Sequence, residues 1–375
     1  MERIFYPIGQ GAFYAERFTE EEDGINFNMV YDCGAGIHLN GTTTGHNVVR
    51  NAFSSKDEID ILFVSHLDTD HVNEIPTLLT SCKVKKVILP LVSRSKYILN
   101  ILNIINTNGQ YDIIIKILDD KESFFNQGNN KPEIIEVKPS EENEERETKE
   151  IDSLKGVISS NSIIKNSKIN WIYVPINYNQ NNLEAKFKDE LKKHSDPFWH
   201  TVDLSDDKQV CDIMKDPMKD PKKNRRAQLK KIYKKVCDIN LCSLVVYSGP
   251  LDKRLWQIKS LVYGGVKTVT FPNKDVKDKP ACIFTGDSDL KNMKIKNEFA
   301  SYYSHVGTIQ VPHHGSEKNH DISQYDEYTI CPISVGKNKH RHPSPYVIGD
   351  LTHNKCQVFC VTSDSNHRLT EKIKK

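Results

Sequence analysis

The chain has 375 residues, a length that suits one large α/β domain or two domains of ordinary size. Its 52 Lys and Arg residues nearly balance 50 Asp and Glu residues, and the net charge of +2 excludes a global electrostatic field directed at nucleic acids or membranes. No uncharged apolar run approaches the roughly 20 residues of a transmembrane helix, and nine cysteines without a CxxC pair are typical of free thiols, so we expect a cytoplasmic protein without membrane insertion.

Hydrophobic periodicity predicts alternating strands and helices along most of the chain. In the first half the predicted strands are 4–18, which turns at residues 9–11, and 26–31, 59–64, 85–90, 112–118, 133–137 and 171–176. The predicted helices are 46–53, 72–81 and 94–106. In the second half they are strands at 243–247, 262–271 and 281–285, a helix at 295–299, and strands at 306–311, 329–335 and 358–361. This order predicts an α/β fold.

Residues 178–238 interrupt that order and are predicted to be a charged, mainly helical insertion, with helices at 183–193, 208–214 and 221–236. The last of these contains eight basic residues and no acid: Lys222, Lys223, Arg225, Arg226, Lys230, Lys231, Lys234 and Lys235. Two interpretations stay open. The helix could bind phosphates through charge neutralisation and counterion release, or it could be an ordinary soluble face.

The greatest density of reactive side chains follows the predicted strand at 59–64, where four lie within six consecutive positions: His66, Asp68, Asp70 and His71. Ligands in open α/β sheets bind beyond the carboxyl ends of strands, so this cluster lies where a site is expected. Neighbouring carboxylates repel each other and are costly to desolvate, and divalent cations would remove that conflict. A surface turn without a ligand is the alternative interpretation.

Two later motifs extend the pattern: Thr-Gly-Asp-Ser at 285–288 and Val-Pro-His-His-Gly-Ser at 311–316. Together with the His-x-Asp-x-Asp-His motif they resemble the metallo-β-lactamase superfamily, and within it the soluble hydrolase domain of ComEC-type DNA-uptake proteins. Further family-like segments are 8–13, 31–36, 240–246 and 336–344, so the resemblance spans nearly the whole chain. It implies a four-layer αβ/βα sandwich, formed by one domain over residues 1–375 with the insertion inside it.

The resemblance also implies two divalent metal ions per chain. It assigns His66 and Asp68 to one ion and Asp70 and His71 to the other, with Asp287 as the bridging ligand. His314 is expected to complete the second site and His313 to face the leaving oxygen, with the reverse order left open. A carboxylate at Asp68, where histidine is usual, favours Mn²⁺, although Zn²⁺ stays possible.

The remaining roles come from the same resemblance. Asp70, His313 and His342 are implied in catalysis, and Asp32 is implied to hold the metal loop from behind through hydrogen bonds. The residues implied in substrate binding are Ser316, Lys339, Arg341 and His342. The family's middle histidine has no clear counterpart, and His194 and His200 are candidates by position alone. Asn73 and Glu74 stand where the family usually has glycine.

The first functional hypothesis is a metal-dependent hydrolase, a phosphodiesterase or nuclease that uses a dinuclear metal-activated hydroxide on DNA or RNA. The second is a hydrolase of a small molecule such as a nucleotide phosphodiester or a lactone. A non-catalytic module with a structural metal site is a third. A component of a bacterial defence system that depends on a protein partner is a further alternative. The membrane channel that accompanies ComEC-type hydrolase domains has no counterpart in this sequence.

Overall fold

A computed structural model describes residues 1–20, 25–36, 45–91, 113, 116–117, 120–128, 130–140, 146–178, 182–203, 209, 213, 225, 228, 231–232, 243–252, 256–264, 269–270, 272–336 and 341–375. Two large β-sheets dominate this part of the chain, which is of the mixed α/β class. No helix in the described ranges combines the length and the apolar character that crossing a membrane would require.

The first sheet contains ten strands, most of them from the first half of the chain. In spatial order its strands are Gly156–Ile158, Glu133–Val137, Lys86–Pro90, Ile61–Phe63, Ile25–Tyr31, Tyr14–Glu20, Glu2–Phe5, Leu369–Lys374, Gln257–Val262 and Val269–Thr270. The first five in this order are parallel, and the later neighbours pair antiparallel. The parallel strands therefore end at one edge of the sheet.

The second sheet contains eight strands. In spatial order they are Gln357–Val361, Ile330–Ser334, Val306–Ile309, Ala281–Phe284, Leu244–Pro250, Trp171–Asn177, Ile163–Asn166 and Thr148–Glu150. The first four are again parallel. A separate parallel pair joins Glu58–Ile59 to Lys83–Val84. Each large sheet thus presents one edge at which several strands end together.

Short helices connect these strands. The α-helices are His46–Ala52, Thr69–Val72, Ile75–Ser81, Lys121–Phe125, Asn182–Lys192, Phe198–Thr201, Lys274–Lys277, Ile295–Glu298 and Pro345–His353. The 3₁₀ turns are Ile151–Ser153, Tyr303–His305, Pro312–Gly315, Ile322–Gln324 and Ser365–His367.

The two sheets pack face to face through large buried aromatic side chains. The Phe284 ring of the second sheet lies 5.0 Å from the Tyr31 ring of the first, and the Phe18 and Trp171 rings are 5.2 Å apart. The Tyr31 hydroxyl also donates a hydrogen bond to the Leu244 carbonyl at 2.7 Å. Burial of such side chains is the main stabilising contribution to the fold.

Helices cover the outer face of each sheet, since strand side chains alternate between faces. On the first sheet, Leu62 packs in one buried cluster with Val49 and Leu78 from two helices. On the second sheet, Ile172 packs in another cluster with Leu351 from the helix Pro345–His353. Helices of the described ranges therefore pack against both sheets.

A fully buried guanidinium connects the two sheets. Arg3 forms ion pairs with Glu16 at 2.7 Å and with Glu371 at 2.6 Å, all three being inaccessible to solvent, and donates to the Pro280 carbonyl at 3.0 Å. The Glu371 carboxylate accepts a hydrogen bond from Thr308 of the second sheet at 2.7 Å. Buried charges are tolerated when they are paired in this way.

Most predicted elements before the insertion are confirmed, with one exception and one outside the described residues. The predicted strand at 112–118 is wrong, because its described residues, Ile113, Lys116 and Ile117, are helical. Ile113 and Ile117 are spaced by one helical turn and pack in the same cluster, whereas a short run of isoleucines has no clear periodicity in the sequence. The predicted helix at 94–106 lies outside the described residues.

In the second half, the predicted strand at 262–271 is wrong. Gln257–Val262 and Val269–Thr270 form an antiparallel pair instead, with Leu261 opposite Thr270. Gly264 has a φ of +79° after the first strand, and consecutive glycines are a turn signal. The helix Pro345–His353 and the strand Leu369–Lys374 were not predicted at all.

The predicted insertion leaves and re-enters the second sheet between two neighbouring strands, Trp171–Asn177 and Leu244–Pro250, which pair antiparallel. Residues 225, 228, 231 and 232 of the predicted basic helix are helical. The Arg225 guanidinium lies 3.7 Å from the centre of the Phe198 ring, and Gln228 accepts a hydrogen bond from the Trp199 indole at 2.7 Å. This part of the basic segment therefore packs against the helix Phe198–Thr201.

We predict that Arg3→Ala lowers the free energy of unfolding by about 3–5 kcal/mol, because it leaves two buried carboxylates without a counter-charge. Arg17→Ala on the neighbouring strand is the matched control, since the Arg17–Asp57 pair is partly exposed and 3.4 Å long, and we expect a loss of about 1 kcal/mol or less. Urea unfolding followed by circular dichroism measures both. Similar losses for the two variants would contradict the assigned role of Arg3.

Candidate functional site

The site lies where the parallel halves of the two sheets end. Asp32 follows the strand Ile25–Tyr31, and the segment from Ser65 to His71 follows the adjacent parallel strand Ile61–Phe63. On the second sheet, Asp287 and His314 follow the parallel strands Ala281–Phe284 and Val306–Ile309. The hydrogen bond from the Leu244 amide to the Ser65 carbonyl, at 2.7 Å, holds the two edges together.

Three buried side chains form the first group of possible metal ligands: His66, His71 and Asp287, whose ligand atoms all lie within 4.8 Å of one another. The two carboxylate oxygens of Asp287 point to different partners. Oδ1 is 3.2 Å from Nε2 of His71, whereas Oδ2 is 3.9 Å from Nε2 of His66.

A second group with the same spacing consists of Asp70, His71 and His314. Nε2 of His314 lies 3.2 Å from Oδ2 of Asp70. His71 belongs to both groups, but its Nε2 has one lone pair and can bind a single ion. The side chain of Asp70 is 29% exposed, so this group is open on one side, whereas His71 and His314 are buried.

Asp32 lies directly behind these ligands and is completely buried. Its carboxylate accepts hydrogen bonds from the Ser65 amide at 2.6 Å and the Ser65 hydroxyl at 2.7 Å. It also lies 2.8 Å from Nδ1 of His71. A carboxylate can only accept here, so Nδ1 of His71 is the donor and its Nε2 is left to face the site.

The same logic sets the orientation of His66. The Ser65 hydroxyl gives its only proton to Asp32, so at 2.9 Å from Nδ1 of His66 it can only accept. Ser243 also approaches Nδ1 of His66, at 3.3 Å, and accepts a hydrogen bond from the Asp287 amide at 3.0 Å. The sequence analysis missed both serines, because a single hydroxyl has no motif of its own.

The two consecutive histidines are held in the same manner. Nδ1 of His314 donates to the Ser334 carbonyl at 3.0 Å, and Nδ1 of His313 lies 3.0 Å from Oδ1 of Asn319. The amide nitrogen of Asn319 donates to the Asp287 carbonyl, so its Oδ1 is the acceptor for His313. All four histidines therefore donate through Nδ1 and present Nε2 to the site.

Left-handed backbone at His313 and His314, with φ of +48° and +54°, directs the two rings to different sides. The ring centres are 6.2 Å apart and the planes are inclined by 71°. His314 belongs to the second ligand group. His313, which is 24% exposed, has its Nε2 3.6 Å from Asp287 and its ring 5.6 Å from that of His342. Non-glycine residues adopt this conformation only where their surroundings impose it.

A buried glutamine shapes the loop that positions Asp287. Oε1 of Gln310 accepts hydrogen bonds from the Thr285 and Gly286 amides, both at 2.8 Å. Gly286 has a φ of +54°, and a Cβ there would lie 2.9 Å from Cβ of Ser65 and 3.1 Å from Cβ of Ser243. Glycine is therefore required between the two serines that hold His66. Gln310 was also missed by the sequence analysis.

Asn73 explains how the chain continues without the glycine expected after the metal loop. Its side chain accepts from the Ala35 amide at 2.8 Å and donates to the Ala35 carbonyl at 2.7 Å. The loop is held further by hydrogen bonds from the Ala12 amide to the Asp70 carbonyl and from the Cys33 amide to the His71 carbonyl. Gly34 permits this close approach, since a Cβ would meet the Asp70 carbonyl at 2.4 Å.

The other predicted site residues are less closely grouped. Oδ2 of Asp68 lies 3.7 Å from Nε2 of His66, outside both ligand groups. Ser316 is buried, Arg341 is exposed, and Lys339 lies outside the described residues. His194 and His200, the candidates for a middle histidine, bond locally, with the His200 ring 2.8 Å from the His194 carbonyl. Among the residues that the structure describes, neither belongs to a ligand group.

The electrostatics of the cluster favour positive charge between its carboxylates. Burial alone would lower the pKa of His71, but Asp287 and Asp32 raise it well above the usual imidazole value. Burial would raise the pKa of Asp287, yet the imidazoles of His313 and His71 lower it well below its ordinary range. Likewise, burial opposes the rise in the pKa of His314 that Asp70 produces. A divalent cation meets the same electrostatic demand.

Comparison with known proteins does not assign a function, so any assignment rests on the geometry of the site. No protein-family model matches this chain, and a search of curated proteins gives no match.

We predict that Gly286→Ala lowers the free energy of unfolding by about 2–4 kcal/mol, because it combines a left-handed backbone with a contact too close for a methyl group. Gly128→Ala is the matched control. Gly128 has a φ of +60° but open space around it, so we expect a loss of about 1 kcal/mol from the backbone alone. Equal losses in chemical denaturation would show that Ser65 and Ser243 do not constrain this loop.

Proposed function

We propose that this chain is a metal-dependent hydrolase of the metallo-β-lactamase fold, acting on phosphodiesters and foremost on DNA or RNA. One observation supports the proposal above all others. Four histidines, each anchored through Nδ1, direct Nε2 toward the carboxylates of Asp68, Asp70 and Asp287. These side chains lie at the carboxyl ends of parallel strands in two facing sheets. Metal-binding histidines in proteins are oriented by such hydrogen bonds.

The arrangement of layers also supports the family assignment. Helices pack on the outer face of each sheet, and the ligands come from loops at matching edges of both sheets. That is the order of layers in an αβ/βα sandwich, and it is the architecture implied by the resemblance of the motifs.

The residues present fit divalent cations. Nε2 of His66 and of His71 is buried and makes no hydrogen bond, which is costly unless a ligand satisfies it. In this proposal His66, Asp68 and Asp287 would hold one ion, and Asp70, His71, His314 and Asp287 would hold the other. The two differently directed oxygens of Asp287 suit a bridging role. Zn²⁺ and Mn²⁺ both accept this mixture of nitrogen and oxygen ligands.

Bound divalent ions would supply Lewis-acid activation of water and of a phosphoryl oxygen. The chain's own contribution is to hold the reacting groups. Asp287 and Asp70 keep their carboxylates ionised beside the imidazoles, and their lowered pKa values preserve that charge. We assign to His313, which is partly exposed and oriented by Asn319, the role of giving a proton to the leaving oxygen.

The substrate assignment rests on the groups around that open side. His342 lies beside His313, and the neighbouring Arg341 is exposed and permanently charged. Such donors suit phosphate oxygens. A phosphodiester is therefore favoured over a neutral ester or lactone.

We predict that purified protein cleaves single-stranded DNA, double-stranded DNA or RNA when Mn²⁺ or Zn²⁺ is added, and that Asp70→Ala abolishes the cleavage. A chromogenic phosphodiester is tested in parallel. Cleavage of the small ester alone would replace the nuclease assignment with a small-molecule phosphodiesterase. Cleavage that persists in Asp70→Ala would indicate a contaminant and contradict the site.

We also predict that His71→Ala and Asp287→Ala each lose at least one of the two ions together with activity, because both side chains lie in the ligand groups. His353→Ala is the matched control, since His353 is exposed on the helix Pro345–His353 and outside these groups. Metal content after dialysis is measured by mass spectrometry, alongside turnover. Full activity in either ligand variant would overturn the two-metal assignment.

A further inference from the structure

A polar cavity of about 660 Å³ opens on the helical side of the first sheet, between the helices His46–Ala52 and Ile75–Ser81. Its volume is within the range of about 300–1,000 Å³ that is usual for small-molecule sites. The side chains that line it include one permanent cation, Arg50, and no carboxylate. None of these side chains belongs to the two metal-ligand groups described above.

The wall formed by residues 50–55 offers hydrogen-bond donors. The exposed guanidinium of Arg50 forms no ion pair or hydrogen bond with any residue that the structure describes, although it has five N–H donors and no acceptor. Asn51 and Ser55 line the same wall with an amide and a hydroxyl. A planar guanidinium of this kind suits the oxygens of a phosphate.

The opposite wall offers acceptors, although its side chains are hydroxyls. Thr80 and Ser81 each donate their only hydroxyl proton to the Thr77 carbonyl, at 2.9 Å and 2.7 Å. The Thr77 hydroxyl donates to Glu74 at 2.6 Å. The Thr77 oxygen also lies 3.1 Å from Nδ1 of His46, so the oxygens that have only lone pairs to present to a ligand are those of Thr80 and Ser81. They therefore suit the hydroxyl groups of a sugar.

We infer that this cavity binds a phosphorylated ribose, with the phosphate at Arg50 and the ribose hydroxyls at Thr80 and Ser81. The ligand must have both an anionic end and donor hydroxyls, and a ribonucleotide unit has both. That unit can come from a free nucleotide or from an RNA chain. The cavity is close to the metal loop along the chain, since the helix Ile75–Ser81 begins four residues after His71.

The test is direct binding, so it does not depend on the proposed hydrolase activity. Isothermal titration calorimetry measures the affinity of the Asp70→Ala protein, treated with a chelator to remove metal, for three probes: ribose 5-phosphate, inorganic phosphate and ribose. We expect ribose 5-phosphate to bind most tightly, since it alone contacts both walls. Arg50→Ala should weaken it about 10- to 100-fold, because charge-assisted hydrogen bonds are lost. Lys56→Ala, which removes an exposed charge outside the cavity, should leave binding unchanged.

A second pair of variants examines the acceptor wall. Thr80→Val and Ser81→Ala should weaken ribose 5-phosphate about 3- to 10-fold and leave inorganic phosphate unaffected. Separate titrations of the protein with adenosine 5′-monophosphate and with a single-stranded RNA octamer then distinguish the two sources of the ribonucleotide unit. The ligand that binds more tightly identifies the natural source. Equal losses in Arg50→Ala and Lys56→Ala, or ribose 5-phosphate binding no tighter than phosphate, would overturn the inference even if the nuclease assay succeeds.

Discussion

A buried network of charges sets the position of one sheet relative to the other. Arg3 pairs with Glu16 and Glu371 on its own sheet, and Glu16 in turn accepts hydrogen bonds from Tyr173 and Ser248 on the facing sheet. Dispersion and the hydrophobic effect hold the sheets together but permit many relative positions, whereas directional hydrogen bonds in a dry interior permit few. The candidate site depends on this constraint because its side chains come from both sheets.

Within the site, the pairing of hydrogen-bond donors with acceptors determines which ring nitrogens face inward. Asp32 accepts from Ser65 and His71, and the committed Ser65 hydroxyl then orients His66. Each ring therefore has one defined nitrogen for a ligand before any ligand arrives. Such preorganisation lowers the free-energy cost of binding a ligand and fixes the positions of the ligand atoms. The buried carboxylates give the site a negative potential, which favours binding of a cation.

The polar cavity between His46–Ala52 and Ile75–Ser81 follows the same reasoning on the outer side of the sheet. Helical hydroxyls that donate to a carbonyl one turn earlier become acceptors for whatever lies beside them, as at Thr80 and Ser81. If both proposals hold, a ribonucleotide chain could contact the protein at two places. The binding experiment and the cleavage experiment measure these separately.

The sequence by itself determined the α/β class, most strands and the four clustered side chains from His66 to His71, because apolar periodicity and ligand spacing are local properties of the chain. It also indicated Asp287 and the two later histidines, through motifs at strand ends. Only the tertiary structure decided that Ser65, Ser243 and Gln310 hold the site, and that Ile113 and Ile117 belong to a helix. The physical reason is that these roles depend on partners distant in the chain: Ser243 lies beside His66 only because two strand edges meet. The hydroxyl acceptors of the cavity are likewise recognisable only once each proton's partner is known.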